Sequence, residues 1–182
     1  MRSDHSDIIS KCKSNDRKAQ NELFERFAPI MLSICKRYLP DHFRAEDALI
    51  KGFKKVFDHI KSYAGDGSFE GWIKRIMVNE CLMIIRKDKK HKNIIPLESR
   101  SFGQVAVALN DNLEYEDILK LLDQLPQGYR TIFNLYAIEG YKHREIADLL
   151  GISINTSKSQ LILARKKLKA MNKKKDNCKW TA

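Results

Sequence analysis

The sequence predicts an all-α protein: two small helical domains joined by a flexible linker, the second containing a helix-turn-helix. Three observations carry this. Apolar residues recur at helical spacing almost from end to end. The pattern breaks over residues 93–112, where Pro96, Gly103 and a small-apolar run from Val105 to Leu109 replace it. Beyond the break, the stretch from Tyr141 to Lys169 reads as helix, tight turn, helix. With 182 residues the chain can hold one ordinary domain or two small ones. The interruption favours two, at 1–92 and 113–170, followed by a basic tail over 171–182.

In chain order, Leu23, Phe24, Phe27, Ile30, Met31, Ile34 and Tyr38 fall on one helical face, and Pro40 closes that helix. Glu46 and Asp47 are expected to open the next helix, where carboxylates offset the helix dipole. Its apolar stripe is Leu49, Phe53, Val56, Phe57 and Ile60. A polar loop from Ser62 to Ser68 follows, with Gly65-Asp66-Gly67 as its turn signal. The third helix is expected from about Phe69 to Arg86, with Trp72, Ile73, Ile76, Met77 and Ile84 inward. Phe69 and Trp72 are assigned to the core, because large aromatics on an amphipathic helix pack inward. The second domain is expected to start near Leu113. Ile118, Leu121, Leu122 and Leu125 form one stripe closed by Pro126; Ile132, Phe133, Leu135 and Tyr136 form the next, before Gly140.

The helix-turn-helix has its own logic. Ile146, Leu149 and Leu150 recur at helical spacing, and Ala147 is small enough for a close helix crossing. Gly151 suits the left-handed residue that ends a helix, and Ser153 can cap the next one. The second helix turns Leu161, Ala164 and Leu168 inward and carries Asn155, Lys158, Ser159, Gln160 and Arg165 among its polar positions. That is the layout of a recognition helix in the major groove. A plain helical hairpin would share the turn, but the acid-free basic run from Arg165 to Lys175 favours DNA.

The formal net charge of +11 points to a polyanionic partner, nucleic acid or an anionic membrane surface. A second basic run spans Arg86 to Lys92. No apolar stretch approaches the length of a bilayer span, and the first residues lack the apolar core of a signal peptide. A cytoplasmic protein without direct membrane insertion is expected. Cys12, Cys35, Cys81 and Cys178 are scattered with no CxxC pairing, as suits reduced thiols. The five histidines are dispersed too, so no metal and no cofactor is expected. Glu46-Asp47 is the one tight acidic pair of the first block, too little for metal-assisted phosphoryl transfer, and no catalytic site is expected.

Two sets of residues carry a family resemblance. The first holds Ala45-Glu46-Asp47-Ala48, the run Tyr63 to Phe69, Trp72-Ile73-Lys74-Arg75-Ile76, Asn79 and Arg86. The second holds Leu125-Pro126, Tyr129-Arg130, Glu139-Gly140-Tyr141, Glu145-Ile146-Ala147, Leu150 to Ser153, Thr156, Lys158-Ser159 and Ala164 to Leu168. In this order the chain resembles bacterial RNA polymerase sigma factors of the extracytoplasmic-function (ECF) group, within the sigma-70 family, from about Ala19 to Lys169.

The resemblance implies a task for each block. The first would bind the polymerase clamp through Glu46, Asp47, Lys51 and Phe53 and open the promoter −10 element. Its loop from Tyr63 to Phe69 would hold a flipped base: Gly65 and Gly67 allow close backbone approach, and Asp66 and Ser68 can bond a base edge. Asn79 would contact the same strand, with Lys74, Arg75, Arg86, Lys87, Lys89 and Lys90 along the phosphate path. Ile50-Lys51-Gly52-Phe53 departs from the acidic or amide-bearing stretch frequent in the family, and a helical glycine costs about 1 kcal/mol against alanine. The second block would read the −35 element through Asn155, Thr156, Lys158, Ser159 and Gln160. Arg165, Lys166 and Lys167 would hold phosphates. Gln160 and Leu163 stand where arginine is frequent, which implies a shifted −35 preference. The implied partners are core RNA polymerase, promoter DNA and an anti-sigma factor, often membrane-bound. A conventional helix-turn-helix regulator, binding operator DNA as a dimer without polymerase, is the alternative reading.

Overall fold

Caps and apolar spacing turn each periodic stretch into a helix. The computed structural model describes residues 5–92 and 119–179, with side chains over 5–88 and 119–171. The expected linker, Ile118, Trp180 and the side chains of Lys89, Lys90 and Cys178 lie outside these residues. All described elements are helical, and the chain divides into two units, Met1–His91 and Lys92–Ala182.

The first unit holds α1 (Ser6–Lys13), α2 (Arg17–Tyr38), α3 (His42–His59), a 3-10 turn (Ile60–Ser62) and α4 (Phe69–Lys92). Asn15 adopts a left-handed φ of 62° between α1 and α2. Asp16 then caps α2, its Oδ1 accepting from Lys18 N at 2.8 Å and Ala19 N at 3.1 Å. Pro29 lies within α2 on an exposed face, so the intrahelical bond it removes is lost on the solvent side. Asp41 caps α3 through Arg44 N at 3.0 Å. That cap corrects one expectation: α3 begins before Glu46 and Asp47, which stand in its second turn. There Glu46 pairs with His42 at 3.1 Å and Asp47 with Lys51 at 2.5 Å.

Leu23, Phe27, Met31, Ile34 and Tyr38 of α2 pack with Ala45, Ala48, Leu49, Phe53 and Val56 of α3 and with α4's Ile73, Met77, Cys81 and Leu82. Ile30 leaves the expected stripe and is 46% exposed, because it sits on the flank beside Pro29. Ile84 is half-buried, and Ile85 takes the core position beside it. Phe69 is buried as expected, whereas Trp72 is half-buried. Two ion pairs tie α3 to α4: Lys55 to the buried Glu80 at 2.5 Å, and Arg44 to Asp88.

In the second unit residues 119–123 are helical. They are followed by α5 (Gln127–Phe133), a π-helical turn (Asn134–Ile138), α6 (His143–Leu150) and α7 (Ile154–Lys179). Leu122, Leu125 and Ala164 form a core cluster with Tyr129, Phe133 and Leu168 against it. Ile132, Leu135 and Ile146 are fully buried. Arg130 is buried too, and its guanidinium serves the end of the preceding helical segment. Nε donates to Leu122 O at 2.8 Å, and Nη2 to Asp123 O at 2.6 Å and Leu125 O at 3.0 Å. These carbonyls lie where a helix end runs out of intrahelical donors, although Leu122 O also accepts from Leu125 N at 3.0 Å. Helix α7 runs on through Lys179, so much of the stretch read as a tail continues the recognition helix.

Candidate nucleic-acid interface

In the first unit the loop between the 3-10 turn and α4 is closed by its own residues. The Tyr63 hydroxyl donates to Gly67 O at 2.9 Å, and the Tyr63 ring meets Phe69 at 5.0 Å and Trp72 at 5.4 Å. Gly65 and Gly67 have φ of 88° and 94°, which L side chains rarely adopt, and a Cβ at either would meet open space. The glycines serve the turn, leaving Asp66 and Ser68 exposed. Ser68 also begins α4: its carbonyl accepts from Trp72 N at 3.0 Å, and its Oγ lies 3.4 Å from Gly71 N.

Along α4, Arg75, Asn79, Met83 and Arg86 recur every three or four residues and share one exposed face. Lys87 is exposed beside it, and Lys74 is half-buried. Asn79 lies about 15 Å along the helix axis from Phe69, at 1.5 Å per residue.

The residues expected at the polymerase clamp divide. Asp47 and Lys51 are exposed and Glu46 is partly so. Phe53 is 2% exposed, with its ring against Phe24 at 4.7 Å. Its expected place in the core stripe is met, and its expected surface contact is not, because the ring has no face left for a partner. The outer side of α3 instead presents Phe43, 78% exposed, and Ile50.

The helix-turn-helix forms as its sequence requires. Gly151 takes φ 64° and ψ 42°, and Ile152 N reaches back to Ala147 O at 3.1 Å. Ser153 Oγ accepts from Thr156 N at 3.0 Å and meets Thr156 Oγ1 at 2.8 Å. Glu145 accepts from Lys142 N at 2.7 Å, securing the start of α6. On α7, Ser157, Leu161 and Ala164 are buried, and Asn155, Lys158, Ser159, Ile162, Arg165, Lys166 and Lys167 are exposed. Ser159 Oγ donates to Thr156 O at 3.1 Å. Gln160 sits on the inner flank: it is half-buried, its Oε1 3.1 Å from where a Cβ on Gly128 would be.

A polar stack joins the two helices of the motif. His143 stacks on Tyr136 at 4.4 Å, and its Nδ1 lies 2.9 Å from the Oγ of the buried Ser157. Arg165 covers the Tyr136 ring at 5.7 Å. Burial, then the charges of Lys158 and Arg165, hold the His143 pKa below its ordinary value. Sequence reasoning missed this stack, since its members come from three separate elements, the π-helical turn, α6 and α7. It missed Ile162 as well, 64% exposed among the basic residues.

Cys12, Cys35 and Cys81 are free and buried. A hydrogen bond with Cys35, reinforced by burial, pushes the Cys81 thiol up. Burial does the same to Cys12. Neither is poised as a thiolate nucleophile. Among the described residues no group of three or more His, Cys, Asp or Glu is placed to hold a metal ion. No described helix is long and apolar enough to cross a membrane.

Comparison with known proteins accounts for both units. The model of sigma-70 region 2 matches residues 23–91, and that of sigma-70 region 4 matches residues 115–168. The chain is 24% identical over 170 residues to the ECF RNA polymerase sigma-E factor of Escherichia coli K12, covering 87% of this chain and 88% of the relative. It is 27% identical over 139 residues to the RNA polymerase sigma factor SigV of Bacillus subtilis, covering 76% and 82%. Its fold is similar to that of the sigma factor RpoE of Bartonella quintana, solved with the anti-sigma factor NepR: TM-score 0.59, 21% identity, 84% of this chain and 96% of that one. It is similar also to CnrH, solved with the cytosolic domain of CnrY: TM-score 0.51, 20% identity, 91% and 95%. With sigma-70 regions 2 and 4 both matched in order, the chain belongs to the sigma-70 family as an ECF-type RNA polymerase sigma factor.

Proposed function

We propose that the protein is a dissociable promoter-specificity subunit in which the first unit opens the −10 element and the second reads the −35 element, while the polymerase supplies all the chemistry. The observation that carries this is a pair of exposed faces in separate units: the closed loop 63–68 leading into Arg75, Asn79 and Arg86, and the recognition face of α7. In this reading Gly65 and Gly67 turn the loop, and Asp66 and Ser68 hold a flipped base. Arg75, Asn79, Arg86 and Lys74 follow the same strand.

On α7, Asn155, Lys158 and Ser159 face base edges, with Thr156 shared between the helix cap and the groove. Exposed Ile162 offers an apolar contact for a thymine methyl. Arg165, Lys166 and Lys167 hold phosphates. The flank position of Gln160 suits spacing between α5 and α7 better than base reading. The polymerase clamp is met by the outer side of α3, where Glu46, Asp47 and Lys51 surround the apolar Phe43 and Ile50. Such work places the protein in the cytoplasm, where polymerase and promoter are. Two similar folds were solved with an anti-sigma factor or with a cytosolic domain, which supports an anti-sigma partner here.

Selection from a random promoter library tests the reading. The reconstituted holoenzyme should recover fragments with two conserved elements at a fixed spacing, and the protein alone should recover none. Recovery of an inverted repeat by the free protein, eluting as a dimer, would favour a conventional regulator.

A further inference from the structure

Helix α1 precedes the matched region 2 segment, yet it holds that segment's loop. It is anchored by the buried Ile8 and Cys12, and the His5 ring just before it meets Phe27 edge-on at 5.4 Å. Lys13, its last residue, is half-buried, and its Nζ donates to the carbonyl of Tyr63 at 2.9 Å. Tyr63 is the first residue of the loop, and its hydroxyl closes on Gly67 O. At the other end of the loop Phe69 packs on Phe27 at 5.8 Å. The N-terminal segment thus holds the first root of the loop directly, by an ammonium at Tyr63, and reaches the other root only through Phe27 of α2, which stands between His5 and Phe69. Between these roots two left-handed glycines leave the backbone much freedom to lose on binding.

We propose that Lys13 is a positioning residue for promoter opening: by holding the Tyr63 carbonyl it fixes the Tyr63–Gly67 closure and presents Asp66 and Ser68 in one conformation. A loop ordered in advance has less entropy to surrender when it captures a base. The proposal rests on the reading of residues 63–69 as the strand-opening loop.

The test uses the full chain with core polymerase on a promoter recovered by the selection above. Lys13→Met keeps the aliphatic stem and removes the donor. Opening, followed by permanganate reactivity of unpaired thymines, should slow about tenfold, the scale of one lost charged hydrogen bond. Affinity for core polymerase and the thermal unfolding midpoint should stay near wild type, and Lys13→Arg should restore most of the rate. The salt dependence of promoter binding should not change. A parallel loss of core affinity would make Lys13 a folding residue and overturn the proposal. So would a salt slope lowered by about one unit, which marks a direct phosphate contact. Asp66→Ala in the same assay separates the two layers of the argument. If it opens normally, the loop assignment fails and the proposal with it. If Asp66→Ala is impaired and Lys13→Met is not, the proposal alone falls.

Discussion

Met77 Sδ occupies the volume that a Cβ on residue 52 would take, and its Cε would lie 2.9 Å from that Cβ. At this glycine a side chain of α4 therefore lies directly against the backbone of α3. Met77 is fully buried and has little room to yield. Gly52→Ala should gain about 1 kcal/mol of helix propensity and lose about 1–3 kcal/mol to overpacking. The net effect should be a lower denaturation midpoint for the first unit. In a Met77→Ala background the same substitution should become stabilising, a non-additivity that equilibrium unfolding can measure.

Arg130 gives the second unit an equivalent point of failure. Arg130→Met removes donors from the carbonyls of Leu122, Asp123 and Leu125 in a buried place. It should cost about 3 kcal/mol or more, since the Asp123 and Leu125 carbonyls lose their charged donor and Leu122 O keeps only Leu125 N. Arg130→Lys should recover only part, because one ammonium cannot reproduce the planar fork. Urea unfolding of the three proteins checks the order.

His143 predicts a pH dependence with a definite sign. Its folded pKa is depressed by burial and by Lys158 and Arg165, so the unfolded chain binds the proton more readily. Stability contributed by the neutral ring is complete above the ordinary histidine value of about 6.5 and is lost as pH falls through the folded value. The melting temperature of the second unit should drop between pH 7 and pH 5, and His143→Gln should remove that part of the slope.

Local patterns were legible in the sequence; contacts between distant segments were not. Leu23, Phe27, Met31, Ile34 and Tyr38 announce α2 by spacing alone, and Gly151 with Ser153 announces the turn. Helix α1 was missed because its eight residues are mostly polar and depend on burial of Ile8 and Cys12 against later helices. Glu46 and Asp47 looked like a helix start because nothing in their own chemistry reveals the Asp41 cap one turn earlier. Phe53 matched two roles, and only the packing of Phe24 against it decides for the core. Gln160 stands among the polar positions of α7 in the sequence, and its half-buried place beside Gly128 depends on a residue far away in the chain. The loop 63–68 was identified by its glycines, but its attachment to Lys13 is a tertiary fact.

The recognition helix should separate reading from anchoring. Lys158→Ala should weaken the preferred −35 sequence by about 1–3 kcal/mol and relax discrimination at one base pair. Lys166→Ala should weaken all −35 variants equally and lower the salt slope by about one unit. Gln160→Ala should leave base preference unchanged and lower stability slightly. Binding titrations of the holoenzyme over a −35 variant panel, at several salt concentrations, distinguish these. Base-selective loss for Lys166→Ala or Gln160→Ala would mean that α7 enters the groove in a different register.

The most direct measurement is run-off transcription from a selected promoter by core polymerase with and without this protein. A single defined transcript should appear that requires the protein, the −35 element and the −10 element together, with little specific binding of that promoter by the protein alone. Tight sequence-specific binding by the free protein, with no transcript added to what core polymerase makes unaided, would contradict a promoter-specificity role.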